Sequence, residues 1–339
     1  MANLYLVTGA TGHLGNTIIQ KLLQKGCHVR GLALPPDQTP PFQSPNMELI
    51  RGDLRDIQSL IALFKDTDEN TVLIHTAAIL SAAPKFEHLV YDINVNGTEQ
   101  LLRMCIMHHT KKFIYVSSSH AIPITNTIIK ESNQFNADAL ETIFAKTKAI
   151  ASRLVLDYGA KGLDACILQP SGMLGPGDYG TGHLTQLIMD FMNHKTTIDV
   201  KGGYDFVDVR DVADAVISSI NNGISGESYL CTNQYYEVQQ LFQMLQKITG
   251  RKPAKTMVPM WFSKLMVYFH QNYRNPFLQP PLTTSYELYS IPEKITFSHQ
   301  KAKKQLHYTP RPIEETLLDT AQWLVCHHMV QPRPLGCKI

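Results

Sequence analysis

The chain has 339 residues, 44% of them hydrophobic and 18% charged, an ordinary globular balance with enough length for one large core or two domains. A formal net charge of +2 gives no electrostatic case for nucleic acid or an anionic membrane surface as the main partner. The six cysteines, Cys27, Cys105, Cys166, Cys231, Cys326 and Cys337, form no C-x-x-C pair. Neither a zinc ribbon nor a redox dithiol is therefore indicated, and most of these cysteines read as small buried hydrophobes in a reducing compartment.

A strand-like run, Asn3-Leu-Tyr-Leu-Val-Thr8, opens the chain. It leaves no room for a signal peptide, so a cytoplasmic protein is expected. No apolar run reaches the roughly 18 residues of a membrane span. The nearest, 257–269, contains Pro259, Ser263 and Lys264 and reads as a buried or amphipathic helix, so no membrane partner is expected.

Through the first half, predicted strands at 4–7, 28–32, 47–50, 72–75, 113–117 and 163–168 alternate with predicted helices at 14–24, 57–64, 86–108 and 138–158. This alternation argues for parallel βαβ units. The unbroken apolar run Val72-Leu-Ile74 fits a strand buried on both faces. The fold class expected is α/β: a Rossmann-like doubly wound parallel sheet with its ligand crevice at the carboxyl ends of the strands.

After Pro170 the pattern changes. Five glycines and Pro176 crowd 172–182, a helix is predicted from Asp211 to Ile220, and prolines and aromatics accumulate towards the end. The organisation expected is a dinucleotide-binding domain over 1–170, with 205–231 returning to it. A smaller, mostly helical substrate-binding cap is expected over 171–204 and 232–330, with a frayed tail at 331–339. Met173, Leu174, Trp261, Phe262, Met266, Tyr268 and Phe269 either line an apolar pocket in this cap or fill its core.

Thr8-Gly-Ala-Thr-Gly-His-Leu-Gly15 follows the first predicted strand and opens the first predicted helix. Gly9 permits a tight turn, Gly12 lets the backbone approach a pyrophosphate, and Gly15 lets helix and strand pack closely. The helix start offers N–H groups and a positive dipole end to phosphates. The cradle is therefore Gly9, Ala10, Thr11, Gly12, His13, Leu14 and Gly15.

The G-x-x-G-x-x-G spacing resembles the extended short-chain dehydrogenase/reductase family, which includes sugar-nucleotide epimerases, dihydroflavonol reductases and 3β-hydroxysteroid dehydrogenases. The resemblance covers most of the chain. Gly52-Asp53-Leu54 is similar to the adenine-contacting segment, Ile74-His-Thr-Ala-Ala78 to the strand end beside the cofactor, and Asn94-Val-Asn-Gly-Thr98 to the next helix. Ser117-Ser-Ser119 is similar to the strand end carrying the catalytic serine, and Pro170-Ser-Gly172 to the loop on the nicotinamide side. The stretch 297–310 is similar to the C-terminal signature, closest to the dihydroflavonol-reductase and hopanoid-epimerase-like branch.

The resemblance implies that Asp53, Leu54, Thr76, Ala77, Ala78, Pro170, Ser171 and Gly172 join the cradle in holding NAD or NADP. Asp53 also has a plain reading, as a cap for the helix near Ile57. The family's Ser and Tyr-x-x-x-Lys map onto Ser119 and Phe144-Ala-Lys-Thr-Lys148. Ser119 would bind the substrate oxygen, or simply cap the next loop as a strand-end hydroxyl; Lys148 would bind the nicotinamide ribose, or be a solvated mid-helix lysine; the tyrosine position holds Phe144. Phenylalanine has no hydroxyl to move a proton. His120 and Tyr179 are the candidate substitutes; the alternatives are a strand-end residue and an aromatic pocket wall.

At the end of the second predicted strand, Ala33 and Leu34 stand where an NAD-specific acid would sit, and Arg30 either approaches a 2′-phosphate or faces outwards from its strand, so NADP(H) is favoured over NAD(H). Gln169 replaces an arginine common before Pro170. No arginine cluster suggests a diphosphate substrate, which leaves a small apolar or aromatic carbonyl or alcohol. His108-His109 and His327-His328 lack the i, i+4 spacing of a helical metal site, so no metal is expected. The resemblance also implies a homodimer through helices 86–108 and 138–158. Two functions stay open: an oxidoreductase or epimerase-like enzyme with atypical acid–base chemistry, and a non-catalytic NADP(H)-binding redox sensor.

Overall fold

The computed structural model describes residues 4–35, 44–81, 87–124, 127–194, 203–251 and 295–330. The expected helix at 257–269 with its aromatics, and the tail at 331–339, lie outside the described residues.

The chain begins with β1 (Leu4–Thr8), α1 (His13–Gln24), β2 (Val29–Ala33), β3 (Met47–Arg51), α2 (Ile57–Leu63) and β4 (Thr71–His75). The order continues with α3 (His88–Tyr91), a π turn (Asp92–Asn96), α4 (Gly97–Met107), β5 (Lys112–Val116), a short β6 (Ile128–Ile129), α5 (Ile143–Ala160) and β7 (Ala165–Pro170). Together with β10 (Ser228–Cys231), these strands build a seven-stranded sheet in the order β10-β7-β5-β4-β1-β2-β3, and every neighbouring pair is parallel. Strands β1, β2, β4, β5, β7 and β10 are buried along their whole length, apart from half-buried Leu4. Their continuous apolar runs are what two covered faces require.

One face packs α1 and α7 (Val209–Asn222) through Leu14, Ile18, Ile19, Val212 and Val216, with Leu306 and Tyr308 from the end of the chain. The other packs α2, α4 and α5 through Leu60, Leu63, Leu101, Leu102 and Val155. The strand order reverses between β1 and β4, so the crevice opens at their carboxyl ends. This is the doubly wound α/β architecture anticipated above.

Two helix boundaries differ from expectation, each for a local reason. The predicted 86–108 helix is interrupted by the π turn at Asp92–Asn96. The helix expected from Asp138 begins at Ile143, where Thr142 accepts a hydrogen bond from the Ala145 N–H at 3.2 Å, after a separate 3-10 turn at Ala137–Ala139. The nearest good N-cap sets the start.

The smaller part carries a three-stranded sheet as well as helices. β9 (Gly203–Asp208) pairs parallel with β8 (Gly172–Leu174) and antiparallel with β11 (Gln234–Glu237). Around it pack α6 (His183–Met192), α8 (Val238–Thr249) and α10 (Ile313–Cys326), through Leu174, Phe191, Phe206, Leu241 and Leu317. A short α9 (Gln300–Leu306) precedes α10. Arg311 fastens this part to α7, its backbone N–H and Nη2 each donating to Asp211 at 2.7 Å.

Candidate functional site

The turn between β1 and α1 assigns each glycine a separate task. Gly9 has φ +67°, a conformation that favours glycine. A Cβ there would lie 2.9 Å from both Ala77 N and Thr76 Oγ1. A Cβ on Gly15 would lie 2.1 Å from Gly9 O, so α1 rests directly on the turn. A Cβ on Gly12 would meet only Gly9 O, at 3.3 Å. Gly12 is the N-cap of α1, with no side chain capping it and no acid in the first turn. The helix therefore presents its positive end at the one glycine with open space ahead of it, as an incoming pyrophosphate requires. These residues fit a dinucleotide.

The ends of β1 and β4 are tied together under the crevice. Thr76 Oγ1 donates to Thr8 O at 2.7 Å, and Thr8 Oγ1 meets His75 Nδ1 at 2.7 Å. His75 is fully enclosed, and burial holds its pKa down to about 3, so it serves as a neutral strut. Asn94, within the π turn, donates to Ile79 O at 3.0 Å and accepts from the Ile79 N–H at 2.8 Å. Its amide also donates to Thr147 Oγ1 at 3.1 Å. Asn94 thus clamps the segment after Thr76, Ala77 and Ala78 to the helix that carries Lys148. The extra residue of a π turn aims a side chain that a regular helix would turn away.

Asp53 follows β3, and its carboxylate accepts from Arg55 at 2.6 Å, a hydrogen bond that holds its pKa below the usual range. It does not cap α2; Asp56 does, accepting from the Gln58 and Ser59 N–H groups. Leu54 is buried against the start of α4, where a Cβ on Gly97 would touch it.

A cavity of about 400 Å³ opens above the carboxyl ends of β5 and β7. Ser117, Ser118, His120, Phe144, Pro170, Ser171, Gly172 and Met173 line it, with His13 from the cradle and Leu184 and Tyr204 from the smaller part. Phe144 thus stands in the cavity wall. One turn further along α5, Lys148 is buried and its Nζ donates to Val116 O at 2.7 Å, 4.9 Å from the centre of the Tyr115 ring. Burial pulls its pKa down to about 7. Ser119 is buried beside the cavity rather than lining it, and its hydroxyl has no hydrogen-bond partner among the described residues. Ser118 caps the turn, accepting from the His120 N–H. His120 is half-buried in the cavity wall, and desolvation lowers its pKa to about 4, so it is neutral at pH 7.

Two readings are corrected. Arg30 points away from the crevice: its guanidinium is held by Glu48 and donates to Leu63 O and Lys65 O. A mid-strand side chain in a doubly covered sheet must find its partners in the layer it faces, and Arg30 finds the end of α2. Tyr179 does not line the cavity. Its ring packs edge-on against Trp323 and His327 of and after α10, at 5.2 and 5.7 Å. Among the described residues no group of His, Cys, Asp or Glu is arranged to hold a metal ion, and no helix is long and apolar enough to cross a membrane.

Sequence reasoning missed Arg51. It closes β3 directly beside Ala33, the last residue of β2, and its guanidinium donates to Leu34 O at 3.1 Å. Only the parallel register reveals that neighbour. It also missed the Ser171–Asp205 pair, 34 residues apart, in which Ser171 Oγ donates to Asp205 Oδ1 at 2.5 Å.

The doubly wound sheet and its glycine cradle define an NAD(P)-binding protein of the short-chain dehydrogenase/reductase type. More particularly, the chain belongs to the NAD dependent epimerase/dehydratase family, whose model matches residues 5–231. It is 30% identical over 256 residues to sterol demethylase protein B of Methylococcus capsulatus, covering 75% of this chain and 77% of that protein. It is 25% identical to a putative dihydroflavonol 4-reductase of Synechocystis over 98% of this chain and 97% of the other. Among solved structures, gox2253 superposes with a TM-score of 0.79 at 27% identity, over 97% of this chain and 100% of that one.

Proposed function

We propose that the protein is an NAD(P)(H)-dependent oxidoreductase acting on an apolar or aromatic alcohol or carbonyl, with His120 in place of the family's tyrosine as the proton-carrying group. The observation that carries this reading is that Phe144 and His120 line one cavity. The place that would hold a phenol is apolar, and an imidazole stands in the same wall. The cradle from Gly9 to Gly15 would hold the pyrophosphate, Asp53 and Leu54 the adenine side, and Thr76 to Ala78 and Lys148 the nicotinamide half. When bound, NAD(P)(H) supplies or accepts a hydride. The chain's own residues hold the reactants and move the proton. The serine run at the end of β5 suits the substrate oxygen, with Ser117 and Ser118 in the cavity wall and the unpartnered hydroxyl of Ser119 buried behind them. Neutral His120 offers a lone pair that can take the proton of an alcohol as it is oxidised, and the imidazolium so formed is the acid that returns the proton to the carbonyl oxygen in the reverse direction.

The mainly apolar lining favours a substrate without phosphates. NADP(H) is favoured over NAD(H), because Ala33 and Leu34 leave no acid at the end of β2 while Arg51 stands beside it. Exposed Ile106 and Met107 of α4 suit a homodimer seam beside α5, in a cytoplasmic protein. The test is reduction of a panel of aromatic and aliphatic ketones with NADPH. His120→Ala should lower kcat by about 100-fold or more with nucleotide affinity unchanged. Equal rates in the two proteins would refute the role of His120.

A second reading is a sensor that binds NADP(H) without turnover. Phe144 itself favours it, since the cavity lacks a hydroxyl at that place. Tight NADPH binding with no turnover on any panel member would select this reading.

A further inference from the structure

Ser171 lies in the cavity wall, and its hydroxyl hydrogen is already committed. Ser171 Oγ donates to Asp205 Oδ1, which also accepts the Asn233 N–H at 2.9 Å. Asp205 is 2% exposed and lies on β9, directly behind the wall. A hydroxyl has one hydrogen and two lone pairs, so while this bond stands Ser171 has only lone pairs left for the cavity. A Cβ on the next residue, Gly172, would touch Asp205 O at 3.1 Å, so β8 and β9 are packed too closely here for the loop to turn over.

We propose that Asp205 is a positioning residue that fixes Ser171 as a hydrogen-bond acceptor, so that the cavity selects a ligand bearing an O–H or N–H donor at this point. The proposal rests on the dinucleotide and alcohol/carbonyl reading above. Two donors meet the requirement: the carboxamide N–H of a nicotinamide and the hydroxyl of an alcohol substrate. A ketone oxygen or an acetyl group at the same point faces a lone pair and is rejected. An unmatched polar contact of this kind weakens binding by about 10-fold.

The device has a pH dependence. Burial pushes the Asp205 pKa up to about 6, against hydrogen bonds from Ser171 and Asn233 that favour the carboxylate. Above that value the carboxylate accepts from Ser171. Below it a protonated Asp205 can donate, which frees the Ser171 hydrogen for the cavity. The selectivity is therefore present at pH 8 and fades on acidification through about pH 6. The ionisable groups packed around Asp205 are Tyr236 of β11 and Tyr308, phenols raised by burial and therefore silent in this range, and Asp208 on its own strand, held low by Arg210 despite its burial. His13, His120, His183 and Asp178 line the same cavity, and a variant that removes only the Asp205 titration separates their contribution.

The experiment is calorimetric titration in two arms. The first compares NADPH with its 3-acetylpyridine analogue, which replaces the carboxamide NH₂ by a methyl group. The second compares 1-(2-naphthyl)ethanol with 2-acetonaphthone on the protein saturated with NADP⁺. In at least one arm the donor-bearing ligand should bind about 10-fold tighter at pH 8, and the arm that shows the preference identifies the donor. Ser171→Ala should abolish the preference. Asp205→Asn keeps an acceptor oxygen for Ser171, so it should keep the preference at pH 8 and hold it unchanged down to pH 5. Asp205→Ala should free the hydroxyl and reverse the preference; if it fails to fold, Ser171→Ala and the Asp205→Asn pH series decide. A wild-type preference near unity in both arms, or one untouched by Ser171→Ala, would overturn the proposal. Failure of NADPH to bind at all would instead defeat the dinucleotide reading.

Discussion

Phe144→Tyr adds one oxygen to the cavity wall, at the edge of a ring that already faces the cavity. The backbone and the ring position need not change, and a cavity of about 400 Å³ leaves room for a hydroxyl. Lys148 lies one helical turn further on, with its pKa drawn down to about 7 by burial, so its charge changes within the neutral range. That charge lowers the pKa of a neighbouring phenol. A positioned acid or base contributes typically about 10²–10⁴-fold. Because His120 already carries part of the proton traffic in this account, the expected gain falls below that range: about 10-fold or more in NADPH-dependent reduction of aromatic and aliphatic ketones. The gain should also depend on pH. A lysine with a lowered pKa is charged below about pH 7 and neutral above it, so the advantage of the new phenol should be largest below that value and shrink as pH rises through it. The assay is steady-state NADPH oxidation from pH 5.5 to 9, with NADPH affinity measured in parallel. A folded variant that binds NADPH as before and shows no gain at any pH would refute the reasoning. So would a His120→Ala variant that turns over as fast as the wild type.

Gly15→Ala should destabilise the protein by about 1–3 kcal/mol, because its Cβ would sit 2.1 Å from Gly9 O and force the helix off the turn; a lowered urea midpoint at unchanged slope would report it. Ala33→Asp should turn the cofactor preference towards NADH by placing a carboxylate at the end of β2 beside Arg51, read as the ratio of NADPH to NADH affinities. A wild type that strongly prefers NADH would contradict that reading of β2 and β3.

Local chemistry made parts of the site legible in the sequence. Gly9, Gly12 and Gly15 leave a residue-type trace because a positive φ, an open approach and a close backbone contact each exclude a side chain. Phe144 and Lys148 were placed on one face by helical spacing, and the structure has one in the cavity wall and the other buried just behind. What was not legible depends on partners distant in sequence. Arg30 had two possible faces, and the layer beneath β2 decided between them through Glu48 and the end of α2. Tyr179 was drawn to α10 by Trp323, more than a hundred residues away. Arg51 meets Ala33 only through strand register, and Asp205 meets Ser171 only because β9 folds against β8. The π turn that aims Asn94 has no signature in an otherwise helical run.

The central claim is that the turn after β1 is a pyrophosphate cradle, and Gly12→Val tests it most directly. Gly12 has φ −71°, open to any residue, and its Cβ meets only Gly9 O at 3.3 Å, so the fold should survive the change. The valine methyls would occupy the space in front of the positive end of α1. Calorimetric titration with NADPH should show binding to the wild type and a loss of about 100-fold or more in the variant, with the unfolding midpoint nearly unchanged. A folded variant that binds NADPH as tightly as the wild type, or a wild type that binds neither NADPH nor NADH, would contradict the account.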